Sequence, residues 1–179
     1  MNGPQLLCLY NTMVLPHLQY CLINWGNFKG DRNLGLRDRI LALQKRLVRI
    51  ICGTHRISHA DPLFAQLGAL KIDDLYTQSV RIISFKASRN QLPGGMTRFF
   101  DKVSHCYNTR GARSNLFVNC SDCRSIKSIA PSIWNASPLE MRQSPSIASF
   151  KGRSKVDLLS PYSTFVCNVR GCCSCAASV

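Results

Sequence analysis

The sequence predicts a mainly α fold: a small helical bundle, thumb-like in scale, then a loop-rich segment and one or two C-terminal helices. Over most of residues 6–92, apolar residues recur every three or four positions, as on one face of an α-helix. From residue 97 to 128 this periodicity fades, and polar residues and glycine dominate. Because 45% of the 179 residues are hydrophobic, the chain can bury a core.

The first helical segment covers residues 6–25 and is interrupted. Proline lacks a backbone donor and clashes with the preceding turn, so Pro16 is predicted to end or kink the helix. A second short helix can begin at Pro16 and continue to Trp25. Residues 26–33 form a turn-rich connector.

The longest predicted helix covers Leu36–Cys52, and Gly53 is placed to stop it. Its predicted inner face carries Leu36, Ile40, Leu43, Leu47, Ile50 and Ile51. On the opposite side, three basic residues lie within about one turn: Lys45, Arg46 and Arg49.

Two more helices complete the predicted bundle. Asp61-Pro62 opens a short helix that carries Leu63, Phe64 and Leu67 and extends to Leu70. Asp73 can cap the next helix, whose inner residues are Leu75, Tyr76, Val80, Ile83 and Ala87. Pro93-Gly94-Gly95 is the clearest break in the chain, and we place a domain boundary there, between residues 1–92 and 93–160.

The second half is predicted to hold one or two short strands, near residues 116–118 and 126–129. Trp134 is expected in the core or as a docking anchor, and Asn135 is expected to bond backbone locally. Ser137, Pro138 and Glu140 have the pattern of a helix start with a capping box. A final helix begins near Ser146 and should end at Pro161, with residues 161–179 forming a disordered, cysteine-containing tail. We expect the C-terminal helices to pack back onto the bundle through Trp134 and Phe150.

Charge points to the partner class. Lys plus Arg number 23 against 9 for Asp plus Glu, a net charge of +14. Nucleic acid is the leading partner, because cations that neutralise phosphates release counterions; a membrane surface is the alternative. No apolar run reaches the roughly 18 to 20 residues of a membrane span, and the N-terminus lacks a basic signal-peptide region. We therefore expect an intracellular protein, nuclear or cytoplasmic, with mostly reduced thiols.

Basic residues supply the candidate nucleic-acid contacts. The basic residues on the long helix are Arg37, Arg39, Lys45, Arg46 and Arg49. They could follow a phosphate backbone, or they could simply form an ordinary solvated helix face. Arg110 and Arg113 lie in a polar loop beside Tyr107, a combination suited to unpaired bases and phosphates. The alternative there is a structural loop in which Arg110 binds carbonyls.

Metal and catalytic patterns are sparse. Cys120 and Cys123 have zinc-ligand spacing, and Cys172 with Cys175 could supply a second pair, but the gap between the pairs is long. Incidental thiols are the default, so no cofactor is predicted. Asp73-Asp74 opens a helix, where acids are favoured, and lacks the third carboxylate that two-metal catalysis needs.

Four segments resemble, in order, the C-terminal part of non-LTR (LINE-type, jockey-like) retrotransposon reverse transcriptases. They are Leu15–Tyr20 with Trp25-Gly26, Leu43–Ile50, Tyr107–Arg110, and Ile129–Glu140 with its Trp134-Asn135 pair and Pro138. Together they span roughly residues 6 to 158. The matching region follows the catalytic palm and covers the thumb and its connection.

The resemblance implies a fragment of an RNA-directed DNA polymerase. In that family the thumb grips the template-primer duplex, and the palm, which this chain lacks, carries the catalytic carboxylates. The expectation is binding to RNA and DNA backbone, contact with the missing polymerase domains, and no catalysis by this chain alone. Three alternatives stay open: a cysteine-dependent zinc-binding interaction module, a helical scaffold that binds only protein, and a gene remnant without function.

Overall fold

The computed structural model describes residues 3–28, 34–97, 100, 115–118 and 125–163. These residues are mainly helical, which confirms the predicted fold class. A π-helical turn, Tyr10–Val14, follows the first helix. The α-helices are α1 (Gly3–Leu9), α2 (Leu15–Gln19), α3 (Leu22–Trp25), α4 (Leu34–Cys52), α5 (Asp61–Leu67), α6 (Ile72–Ser88), α7 (Gly94–Thr97), α8 (Ile126–Ala136), α9 (Leu139–Arg142) and α10 (Ile147–Ser163).

The helical path does not break at Pro16, contrary to the prediction. A π-helical turn precedes the proline, with the Leu15 amide donating to the Tyr10 carbonyl, and α2 continues through Pro16. The wider turn changes the hydrogen-bond register where the proline lacks a donor. The chain reverses after α2, at Cys21, whose backbone is left-handed (φ 49°).

Helix α4 has nearly the predicted bounds, and Gly53 ends it at a positive φ of 64°. Its predicted inner face is only partly right. Ile51 is buried as predicted, together with Gln44 and Val48, whereas three residues assigned to the core are largely exposed: Leu36, Leu43 and Ile50. The buried face is rotated by roughly a quarter of a turn from the face that apolar spacing predicted.

Gln44 accounts for this rotation. Its side chain is 1% exposed. The amide nitrogen donates to the Tyr10 hydroxyl and the Leu70 carbonyl, both at 3.3 Å, and the amide oxygen accepts from the Ile72 amide at 2.9 Å. A polar residue therefore faces the core because it binds backbone groups at the start of α6 that would otherwise be buried without partners.

Helices α5 and α6 form as predicted, with two shifts. Helix α5 ends at Leu67 instead of extending to Leu70, because Gly68 turns the chain at φ 59°. Lys71 rather than Asp73 occupies the N-cap of α6, and Asp73 lies in the first turn. The predicted inner residues Leu75, Tyr76, Val80 and Ala87 are buried, and Phe85 joins them.

The second half differs locally from its prediction. Residues 126–129 begin helix α8 instead of a strand, because the Ser125 side chain caps the helix by accepting from the Lys127 amide at 3.3 Å. Ser137 ends α8, its hydroxyl donating to the Ile133 carbonyl at 2.8 Å, so the predicted capping box does not form. Helix α10 continues past Pro161 to Ser163, which places Tyr162 in the core.

The C-terminal helices pack onto the bundle through Trp134 and Phe150, as predicted. The Phe150 ring stacks on Phe85 with centroids 4.5 Å apart and lies 6.1 Å from Trp134. The break at residues 93–95 lies at the start of α7, yet residues from both sides contribute to one cluster. A second cluster joins α4 to the π-helical turn, α5 and α10 through Tyr10, Val48, Phe64 and Tyr162.

None of the helices formed by the described residues is long and apolar enough to span a bilayer.

Candidate nucleic-acid interface

Three arginines converge on one groove at the C-terminal end of α4. The groove encloses about 630 Å³ between the last turns of the helix and the loop leading to α5. Its lining comprises Arg46, Arg49, Ile50, Thr54 and Arg56. We call this the arginine groove.

The loop is held against the helix by backbone contacts. Gly53 adopts a left-handed conformation, and the Thr54 amide donates to the Arg49 carbonyl at 3.0 Å. The Arg49 side chain then reaches forward, its Nε donating to the Ser58 carbonyl at 2.7 Å. Because the loop folds back in this way, Arg56 lines the same groove as Arg46.

The electrostatics of the groove are uniformly positive. No carboxylate lines it among the residues that the structure describes. The ion pairs within that part of the chain involve Arg37, Lys71 and Arg81, and none uses a groove arginine. Arg46 and Arg56 are exposed, so their guanidinium groups can make bidentate contacts to phosphate oxygens.

Lys45 and Arg49 are less available than Arg46 for contact with a phosphate. Lys45 is half-buried on α4 and forms no ion pair with a described residue. Arg49 uses its Nε to hold the loop and is also one of the residues that line the groove. Arg49 therefore combines a structural contact with a place in the groove.

Arg37, a predicted phosphate contact, instead forms an ion pair within the fold. Its guanidinium binds both carboxylate oxygens of Asp73 at 2.7 Å and also contacts Asp38 at 3.1 Å. The hydrogen bond to Asp73 raises the pKa of Arg37 above its ordinary value. Because this bidentate pair ties α4 to the first turn of α6, we remove Arg37 from the candidate contacts.

The adjacent Asp74 is also engaged within the fold. Tyr162 donates its hydroxyl hydrogen bond to the Asp74 carboxylate and accepts from the Lys71 amide at 3.1 Å. Burial raises the pKa of Asp74, and burial together with the Asp74 contact raises the pKa of Tyr162. Asp73 and Asp74 thus link α6 to α4 and α10, respectively.

Several predicted site residues lie outside the described part of the chain. These are Arg110, Arg113, Cys120, Cys123, Cys172 and Cys175. Within the described ranges, no three metal-ligating side chains come together.

Comparisons of this chain with protein-family models, curated proteins and solved structures found no match.

Arg56 is the groove residue that the sequence did not indicate. It lies in a short loop between two helices, and a loop's path beside a helix cannot be derived from periodicity. The available signal was a basic residue three positions after Gly53, the residue that turns the chain at the end of a basic helix.

Proposed function

We propose that this chain binds the phosphate backbone of RNA or DNA through the arginine groove, as a thumb-like fragment of a retrotransposon reverse transcriptase that does not itself catalyse synthesis. The observation that carries the proposal is the convergence of Arg46, Arg49 and Arg56 on one groove that no carboxylate of the described residues lines. A net charge of +14 favours the same partner class at longer range.

The shape of the groove favours backbone binding over base reading. Guanidinium groups on a helix and a flanking loop position phosphates without carrying sequence information. Ile50 adds an apolar surface that can contact sugar edges, and Thr54 also lines the groove. We therefore expect affinity that depends steeply on salt and weakly on sequence.

The proposal extends to location and assembly. The resemblance of four sequence segments to the post-palm region of non-LTR reverse transcriptases suggests that the missing polymerase domains are natural partners. The unpaired thiols of Cys8, Cys21 and Cys52 favour a reducing compartment, nuclear or cytoplasmic.

The test is binding to a fluorescent RNA–DNA hybrid and to duplex DNA across a salt series. Arg46→Glu with Arg56→Glu reverses two exposed charges and spares Arg49, whose contact to Ser58 holds the loop. The slope of log affinity against log salt should fall by about two, because each lost phosphate contact removes about one unit. Affinity at low salt should fall at least about tenfold.

The matched control reverses two exposed lysines on α10, Lys151→Glu with Lys155→Glu. Both double variants change the net charge equally, so a purely global charge effect would weaken binding equally in the two proteins. Equal loss, or no binding by the folded wild-type protein at low salt, would refute the groove assignment.

A further inference from the structure

Helix α4 carries an apolar stripe that the fold leaves uncovered. Leu36 is 48% exposed, Leu43 is 60% exposed and Ile50 is 54% exposed. These residues are seven positions apart and lie on one line along the helix. Ile40 and Leu47, which are partly buried, continue the stripe toward the core. We call Leu36, Ile40, Leu43, Leu47 and Ile50 the α4 stripe.

The spacing of the α4 stripe is that of a coiled-coil seam. Its members are separated by four, three, four and three residues, which is the repeat that places apolar side chains along the contact line of two helices. Isolated exposed apolar residues are normal on a solvated helix face, but they need not follow this four-three repeat. The stripe therefore fits a second helix packed alongside α4.

The two borders of the stripe differ in accessibility. On one side lie Gln44 and Ile51, both buried against the protein's own core. On the other side lie Arg39 and Arg46, both exposed and each placed between successive stripe residues. The one acid in α4 is Asp38, which contacts Arg37 at 3.1 Å. The open border is therefore basic.

This charge pattern selects the partner. Residues flanking a coiled-coil seam form interhelical ion pairs that determine which helices associate. In an antiparallel pair of two copies of α4, Arg39 of one copy would face Arg46 of the other, and like charges would repel. A parallel pair would place these arginines toward the Gln44 side, which the core already covers. Self-association is disfavoured in both arrangements.

We propose that the α4 stripe is a docking site for an amphipathic helix of a partner protein whose apolar seam is flanked by acidic residues. The incoming leucines would pack between Leu36, Leu43 and Ile50, and its carboxylates would pair with Arg39 and Arg46. Arg46 and Ile50 also line the arginine groove, but Leu36, Leu43 and Arg39 do not, so the inference does not rest on nucleic-acid binding.

The test uses a designed helical peptide of about three heptads, with leucine at the seam and glutamate at the flanking positions. A second peptide carries lysine in place of glutamate. We expect the glutamate peptide to bind the full chain at least about tenfold more tightly than the lysine peptide, by fluorescence anisotropy. Equal affinity for the two peptides would overturn the proposed partner chemistry.

The protein variant for this test is Leu36→Ala with Leu43→Ala, which keeps good helix formers in α4. It should weaken binding of the glutamate peptide at least about tenfold and leave the urea midpoint of unfolding unchanged. The control, Leu139→Ala with Val156→Ala, removes exposed apolar side chains elsewhere and should bind as the wild type does.

Three further outcomes would overturn the proposal. Wild-type affinity in the Leu36→Ala/Leu43→Ala variant would show that the peptide binds elsewhere. A clear loss of stability in that variant would show that another segment of this chain already covers the stripe. A wild-type dimer that this variant dissociates, seen by analytical ultracentrifugation, would identify a second copy as the occupant.

Discussion

Gln44 shows how one polar side chain can determine the orientation of a helix. Three hydrogen bonds join its amide to Tyr10 and to Leu70 and Ile72, which lie in two separate parts of the chain. Sequence periodicity assigned the inner face to apolar residues alone, and no local signal marks a glutamine that will bind distant backbone. The residue that best explains the orientation of α4 was therefore not predicted.

Replacing Gln44 by Leu should destabilise the protein by about 1–3 kcal/mol, because the Ile72 amide and the Leu70 carbonyl would remain buried without their partner. Urea unfolding followed by circular dichroism gives the free-energy change. Gln66→Leu is the control, since Gln66 lies exposed on α5. Equal stability of the two variants would contradict the assigned role of Gln44.

Sequence periodicity also failed to show the tertiary contacts of single residues in the candidate site. Lys45, Arg46 and Arg49 were identifiable as basic residues on one helix, but periodicity did not show that Arg49 binds the Ser58 carbonyl. Nor did it show that Arg37 pairs with Asp73, which lies 36 residues away. Tertiary ion pairs depend on how helices pack, and the local pattern does not encode that packing.

At the scale of elements, start and stop signals were more informative than proline. Gly53 ended α4 where expected, and Gly68 ended α5 before the predicted Leu70; both glycines have a positive φ that other residues rarely adopt. Pro16, Pro131 and Pro161 lie within helices. Pro16 follows a π-helical turn and lies at the start of α2, where a proline removes few hydrogen bonds, so it does not end the helical path.

Gly53→Ala should lower the stability by about 1 kcal/mol, since alanine is strained at φ 64° while its Cβ would meet no neighbouring atom. The loop carrying Arg56 depends on this turn, so nucleic-acid affinity should also fall. Gly35→Ala, in the first turn of α4, should instead stabilise the protein by about 0.5 kcal/mol. Thermal unfolding of both variants tests the sign of each change.

At the scale of the whole molecule, the break in the sequence does not separate two cores. The prediction that Trp134 and Phe150 connect the C-terminal helices to the bundle came from their apolar context and is confirmed. The proposed boundary at residues 93–95 rested on Pro and Gly composition, which marks the end of a helix but carries no information about long-range contacts.

The two tryptophans allow this shared core to be tested. Trp25 lies before the break and Trp134 after it, so Trp25→Phe and Trp134→Phe each leave one fluorescent reporter. One common core predicts that the two urea transitions of each variant, by fluorescence and by circular dichroism, coincide. Separate midpoints for the two reporters at matched stability would instead support two independently folding units.

The position of α10 in the chain has a consequence for synthesis on the ribosome. Phe150 and Leu158 contribute to one apolar cluster and Tyr162 to the other, and all three come late in the described chain. While translation proceeds, the packing surfaces of helices α4 to α6 stay uncovered until α10 has been synthesised. Nascent chains stalled before α10 emerges should therefore engage chaperones and remain protease-sensitive, and protection should arise abruptly once residue 163 clears the exit tunnel.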